Sequence, residues 1–288
     1  FGDGFTYYNF ATSYFGYIGG NAQLFYGMTF PDSLNVIYED NDNPGTHFLS
    51  TVRYNGLGVS FTPTGDIFEI DGVTTLKSTN QPYRVDTFSI WYSYERLMND
   101  PTVVDTLVVS VFNSDKVTPF TYTDNSAPYG STVLYDSINK MGYQPTMVIK
   151  KELTIADTSG RGRFNALDFP LDNFMVNDGG MVAVTWTFKP GYDYDINDTL
   201  NGELDKSIVG KQMNQFYFFY MNDGGYNDQE RLEEYNSGLF IYSWTNYTNY
   251  WQYDDMPFYF MQKIFGGDPP RHNFPLVTWA ISYDPDWE

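Results

Sequence analysis

Apolar and polar residues alternate with a period of two along much of the chain. Val182, Val184, Trp186 and Phe188 alternate with Ala183, Thr185 and Thr187. Leu107, Val109 and Val111 alternate with Thr106, Val108 and Ser110, and Phe88, Ile90, Tyr92 and Tyr94 with Thr87, Ser89, Trp91 and Ser93. Successive strand side chains point to opposite faces, so each segment predicts a strand with one buried face. The same reading predicts strands at Ala22–Tyr26, Leu34–Tyr38, Phe48–Tyr54, Val59–Thr62, Ile67–Ile70, Met147–Ile155, Phe216–Met221, Leu239–Trp244, Phe258–Gln262 and Leu276–Ser282.

Turn-forming clusters separate these segments: Asn41-Asp42-Asn43-Pro44-Gly45, Pro63-Thr64-Gly65-Asp66, Asn177-Asp178-Gly179-Gly180 and Asn222-Asp223-Gly224-Gly225. Asn, Asp and Gly supply the positive φ and the Asx turns that close strand connections. Helical character is confined to Asp228–Tyr235, about two turns. Many short strands, few short helices and frequent turns predict an all-β fold, a large antiparallel β-sandwich of jelly-roll type. Residues 1–288 read as a single large β-sandwich unit, with the polar stretch 77–82 as the place where a subdivision would fall.

Composition narrows the function. The chain has 16 Lys+Arg against 36 Asp+Glu, a net charge of -20, which repels nucleic acid and anionic lipid. Aromatic residues are 19% of the chain, a content that disordered acidic segments lack. There is no Cys, hence no disulfide framework, Cys zinc site or thiol nucleophile. No apolar run approaches the roughly 18 residues of a membrane-spanning helix, so no transmembrane segment is expected.

Candidate chemistry follows by elimination. A Ser-His-Asp device needs a histidine shuttle, and only His47 and His272 exist, without a nucleophile-elbow or zinc-protease motif around them. Glycoside hydrolysis needs two facing carboxyl groups, and Asp254-Asp255 is where a pair would be sought. No catalytic residue is assigned, and the chain reads as non-enzymatic. Oxygen-rich loops suit a structural Ca2+ at Asp40 and Asp42, and at Asp193, Asp195 and Asn197; turn formation explains the same residues. The second loop lacks the Gly and Glu of an EF-hand. Trp244, Tyr247, Tyr250, Trp251 and Tyr253, interleaved with Asn, Gln and Thr, form a candidate ligand-binding segment that would stack on sugar rings or build a protein interface; a twisted strand and loop covering the core is the plainer explanation, because aromatics are abundant throughout the chain.

The string Gln81–Tyr94, then Val104–Val111, and the segment Val36–Thr46 with its turn Asp40-Asn41-Asp42-Asn43-Pro44-Gly45 carry a resemblance. They resemble extracellular β-sandwich regions of Bacteroidota proteins exported by the type IX secretion system. The likeness spreads over residues 30–200 and weakens in the C-terminal third. Such proteins carry a C-terminal sorting domain, which is removed on export; none follows Asp286-Trp287-Glu288. The resemblance implies an extracellular or outer-cell-surface location. It also implies O-glycans at Asp-Ser/Thr-aliphatic sites, here Ser33, Thr106, Ser137 and Thr199. The expected function is that of a structural, adhesion or accessory subunit of a surface assembly, partnered by other surface proteins or by copies of itself. The alternative is a carbohydrate-binding module or glycan-active protein that uses aromatic stacking.

Overall fold

The computed structural model describes residues 6–9, 23–29, 35–39, 43–50, 53–61, 82–114, 119–123, 131–135, 144–160, 163–177, 180–195, 197–222, 241–248, 259–260 and 273–283. Nearly all of the regular structure is β. In chain order the strands are β1 (Thr6–Asn9), β2 (Gln23–Thr29), β3 (Asn35–Glu39), β4 (His47–Ser50), β5 (Arg53–Phe61), β6 (Tyr83–Glu95), β7 (Asp105–Ser114), β8 (Pro119–Thr123), β9 (Ser131–Tyr135) and β10 (Met147–Leu153). They continue with β11 (Asn165–Val176), β12 (Met181–Lys189), β13 (Thr199–Asn201), β14 (Lys211–Gln212), β15 (Gln215–Asn222), β16 (Ile241–Thr248), β17 (Tyr259–Phe260), β18 (Asn273–Pro275) and β19 (Val277–Tyr283).

A seven-stranded sheet runs β1-β19-β6-β15-β18, with β11 also paired to β6 and β2 to β15. A six-stranded sheet runs β10-β7-β12-β5-β16-β17. Both are antiparallel throughout the described pairings. A four-stranded sheet runs β14-β13-β3-β4, and β8 pairs with β9. The first and last strands are zipped together: β1 lies against β19 from Thr6↔Tyr283 to Asn9↔Ala280. Leu276, between β18 and β19, marks a handover. Its carbonyl accepts from Trp91 N–H (3.2 Å) and its N–H donates to Phe219 O (2.7 Å), so β6 exchanges β19 for β15 as its neighbour there.

The predicted alternation sets how the two large sheets meet. Phe88, Ile90, Tyr92 and Tyr94 of β6, Leu107, Val109 and Val111 of β7, and Val182, Val184, Trp186 and Phe188 of β12 all enter one core cluster. That cluster draws on both sheets, so they face each other across it. Aromatic rings do much of the filling: Phe88 stacks on Phe169 (4.9 Å) and Tyr92 on Phe216 (5.4 Å). Phe188 of one sheet stacks on Phe216 of the other at 5.9 Å, a contact that ties the layers.

Three expectations change. The stretch Phe48–Tyr54 is divided between β4 and β5, which belong to different sheets. The segment predicted at Val59–Thr62 extends back to Arg53 through Gly56 and Gly58, because β12 and β16 hydrogen-bond it on both sides. The alternate face of β12 is not open to water at its centre, since Ala183 is fully buried and Thr185 is 8% exposed. The small sheet adds parallel pairings, β13 with β3 and with β14; the other pairings among the described residues are antiparallel. The segments Ile67–Ile70, 77–81 and Asp228–Tyr235 lie outside the described residues.

Candidate functional site

Among the described residues, the most extensive polar network surrounds a buried carboxyl group. Asp105, at the start of β7, is fully buried in the gap between the ends of several strands. Its Oδ1 accepts from Gly191 N–H at 2.6 Å. Its Oδ2 accepts from Asn214 Nδ2 at 2.8 Å and from the Tyr94 hydroxyl. Arg96 Nη1 donates to that hydroxyl (3.3 Å) and to Val103 O (2.9 Å), while Asn214 Oδ1 accepts from Met98 N–H (2.9 Å). The backbone of Tyr94 is held as well, its carbonyl accepting from Ser159 N–H and its N–H donating to Ser159 Oγ. Burial, with the Asp105 carboxyl beside it, pushes the Tyr94 phenol far above the ordinary tyrosine range. Burial does the same to Tyr192, again with Asp105 nearby. With three donors on its two oxygens, Asp105 is held from inside the protein, and the arrangement fastens strand ends. Gly191 is required by space: a Cβ there would stand 2.0 Å from Val104 O.

The loop after β12 gathers the second set of predicted ligands. Asp193, Asp195 and Asn197 are exposed. Asp195 Oδ1 accepts from Asn197 N–H and from Asn197 Nδ2, both at 2.8 Å, which is an Asx turn. Asp198 Oδ2 accepts from Asp195 N–H (2.6 Å) and from the Lys211 ammonium. The Lys211 hydrogen bond, then that of Asp195 N–H, lowers the Asp198 carboxyl below its ordinary range. These bonds fix the loop beside a small core of Val36, Leu200 and Met213. Asp40 and Asp42 lie outside the described residues, as do Ser33 and Ser137. Thr199 and Thr106 are half-buried, and the Asp105 that precedes Thr106 is the fully enclosed carboxyl. His47 opens β4 with its Nδ1 3.8 Å from Glu203 Oε1; His272 lies outside the described residues, as does Asp254-Asp255.

Of the predicted aromatic segment, Trp244 and Tyr247 fall on β16, in register with Gly58 and Tyr54 of β5. Tyr250, Trp251 and Tyr253 lie outside the described residues. A second aromatic group, which the sequence reading did not single out, sits elsewhere. Trp91 of β6 stacks on Phe164 at 4.4 Å, and Phe164 meets Phe219 edge-on at 4.6 Å. Trp91 Nε1 donates to Thr278 Oγ1 (2.7 Å), and nearby Ser89 Oγ donates to Asp168 Oδ1 (2.6 Å). Phe164 is 44% exposed. The signal was there: Trp91 is a large aromatic at a polar-parity position of β6, between Ser89 and Ser93.

Comparison with known proteins finds no matching family model, no similar curated protein and no similar solved structure. β10 ends the six-stranded sheet, and among the described residues its only strand partner is β7. Side chains alternate along it between half-buried and exposed, with Val148 50% exposed.

Proposed function

We propose that this chain is a secreted or cell-surface β-sandwich protein, wound as a jelly roll, that acts by recognition and not by catalysis. It serves as a structural, adhesion or accessory subunit of a surface assembly, in keeping with the resemblance to exported Bacteroidota proteins. The observation that carries this reading is the terminal strand β10, which among the described residues pairs on one side only, with β7, and carries an exposed Val148 at the sheet margin. Sheet margins of this kind add strands from partners unless they are covered. In this reading Thr106 and Thr199 are places for O-glycans, and the loop at Asp193–Asn197 is a place for a structural Ca2+.

The test is isolation of the protein from its native envelope under mild cross-linking. It is expected in complexes heavier than its own 33.2 kDa. Recovery solely as an inert monomer overturns the reading. A second reading, glycan binding, is favoured by the stack of half-open Phe164 on Trp91 beside Asp168 and Ser89. A glycan array read with and without chelator, and with Phe164→Ala, decides it: a binder lost in the variant supports it, and an empty array removes it.

A further inference from the structure

We propose that two copies of this chain pair through β10, antiparallel about a two-fold axis, and so join their six-stranded sheets into one. The pairing deepens the reading above by naming a second copy as partner, and it is tested separately from it.

Backbone direction comes first. Asn113 N–H donates to Thr146 Oγ1 at 3.1 Å, so Asn113 turns its backbone toward the β10 side. Strand alternation then turns the odd-numbered residues of β7 to β10 and the even-numbered ones to β12. The register sets Val111, Val109 and Leu107 against Met147, Ile149 and Lys151. Those odd positions of β10 are spent on β7. The N–H and C=O groups of Val148, Lys150 and Glu152 therefore point away from the sheet, and the side chains at these same three positions are exposed.

The charges on that margin select a partner. When Lys150 of one copy faces Glu152 of the other, the two-fold axis repeats the pair in reverse, and both contacts are between opposite charges. The neighbouring registers that keep core faces together set Lys150 against Lys150 or Glu152 against Glu152, which repel. On the core-facing side the favoured register places Ile149 against Leu153, and Lys151 against its own copy on the axis. Each Lys151 already has a counter-ion, with Asp157 Oδ1 3.6 Å from its ammonium. Ile155, 71% exposed, adds apolar surface just beyond the strand. A chain of net charge -20 repels its copies generally, and Lys150 and Lys151 offset part of that repulsion along this strand. Edge lysines also serve in other proteins to block pairing, and charge reversal separates the two roles.

The experiment is sedimentation analysis of the full 288-residue chain over a wide concentration range. A dimer is expected. Lys150→Glu or Glu152→Lys alone creates two like-charge contacts and is expected to raise the dimer dissociation constant about tenfold or more. The double exchange Lys150→Glu/Glu152→Lys restores opposite charges and is expected to return it to within about threefold. Lys151→Cys supplies the sole thiol of the chain at the axis, where cross-strand Cα atoms of a non-hydrogen-bonded pair stand about 4.5 Å apart, and mild oxidation is expected to give a disulfide-linked dimer. Circular dichroism and thermal melts confirm that each variant is folded. A monomer at every concentration, a dimer indifferent to the charge exchanges, or no disulfide-linked dimer from Lys151→Cys overturns the pairing. A monomer that still enters heavier envelope complexes refutes the pairing alone; a monomer that enters none refutes the wider reading too.

Discussion

Replacing Asp105 by Asn keeps the shape of the side chain and removes one acceptor where three donors converge. The amide cannot turn its NH2 toward Gly191, because that backbone N–H, 2.6 Å from Oδ1, has no freedom to reverse. It must turn NH2 toward Asn214 and Tyr94. The Tyr94 hydroxyl can rotate to accept. Asn214 cannot present its own oxygen instead, since Met98 N–H holds it at 2.9 Å. The variant therefore orphans the Asn214 amide in a buried site, at about 1–3 kcal/mol, and converts the remaining charge-assisted bonds to neutral ones, at about 1 kcal/mol more. The expected loss is about 2–4 kcal/mol. Asp105→Ala orphans all three donors and is expected to lose about 3–5 kcal/mol. Urea unfolding followed by tryptophan fluorescence reads this directly: with a slope near 3 kcal/mol/M, the Asn variant moves its midpoint down by about 1 M. Tyr94→Phe combined with Asp105→Asn is expected to lose less than the sum of the single changes, because both act on one oxygen. An Asn variant within about 0.5 kcal/mol of the parent chain would refute the reasoning, since surface substitutions change stability by no more than that.

Gly191→Ala places a Cβ 2.0 Å from Val104 O and must displace the N–H that Asp105 accepts, so a loss of more than about 2 kcal/mol is expected in the same urea assay; a neutral result would mean that this backbone approach is not kept in solution. Lys211→Met removes the hydrogen bond that chiefly lowers the Asp198 carboxyl from its ordinary 3.8, so a carboxyl 13C titration is expected to show the Asp198 midpoint rising. A lowered folded value adds stability above the ordinary carboxyl range and loses it as pH falls through the folded midpoint, so the variant is expected to depend less on pH below 3.8; an unmoved midpoint would remove the Lys211 contact from the account.

What the sequence made legible was face, more than partner. Strands β6, β7 and β12 each press one face on the shared core, and burial of that face imposes the alternation visible in Phe88–Tyr94, Leu107–Val111 and Val182–Phe188. Strand β5 was only partly legible. Its Gly56 and Gly58 have little strand preference of their own and are held extended by β12 and β16. The Asp105 cluster was illegible because its partners Tyr94, Gly191 and Asn214 stand 11, 86 and 109 positions away in the chain. Aromatic abundance pointed two ways at once. Phe88, Tyr92, Phe188 and Phe216 fill the core, whereas Phe164 meets solvent, and composition alone does not sort them. Asp195 and Asn197 illustrate a similar overlap, because the oxygen atoms that suit a cation also make the hydrogen bonds of a turn.

The ladder between β1 and β19 has a mechanical meaning. Thr6 opposes Tyr283 at one end of four antiparallel rungs, so the first residue of β1 and the last residue of β19 lie side by side. Tension applied between those two points would open the rungs in sequence, like a zip, instead of loading them together in shear. A subunit built this way resists pulling poorly along that line, and a force-bearing assembly made from it would have to pass its load through the body of the sheets.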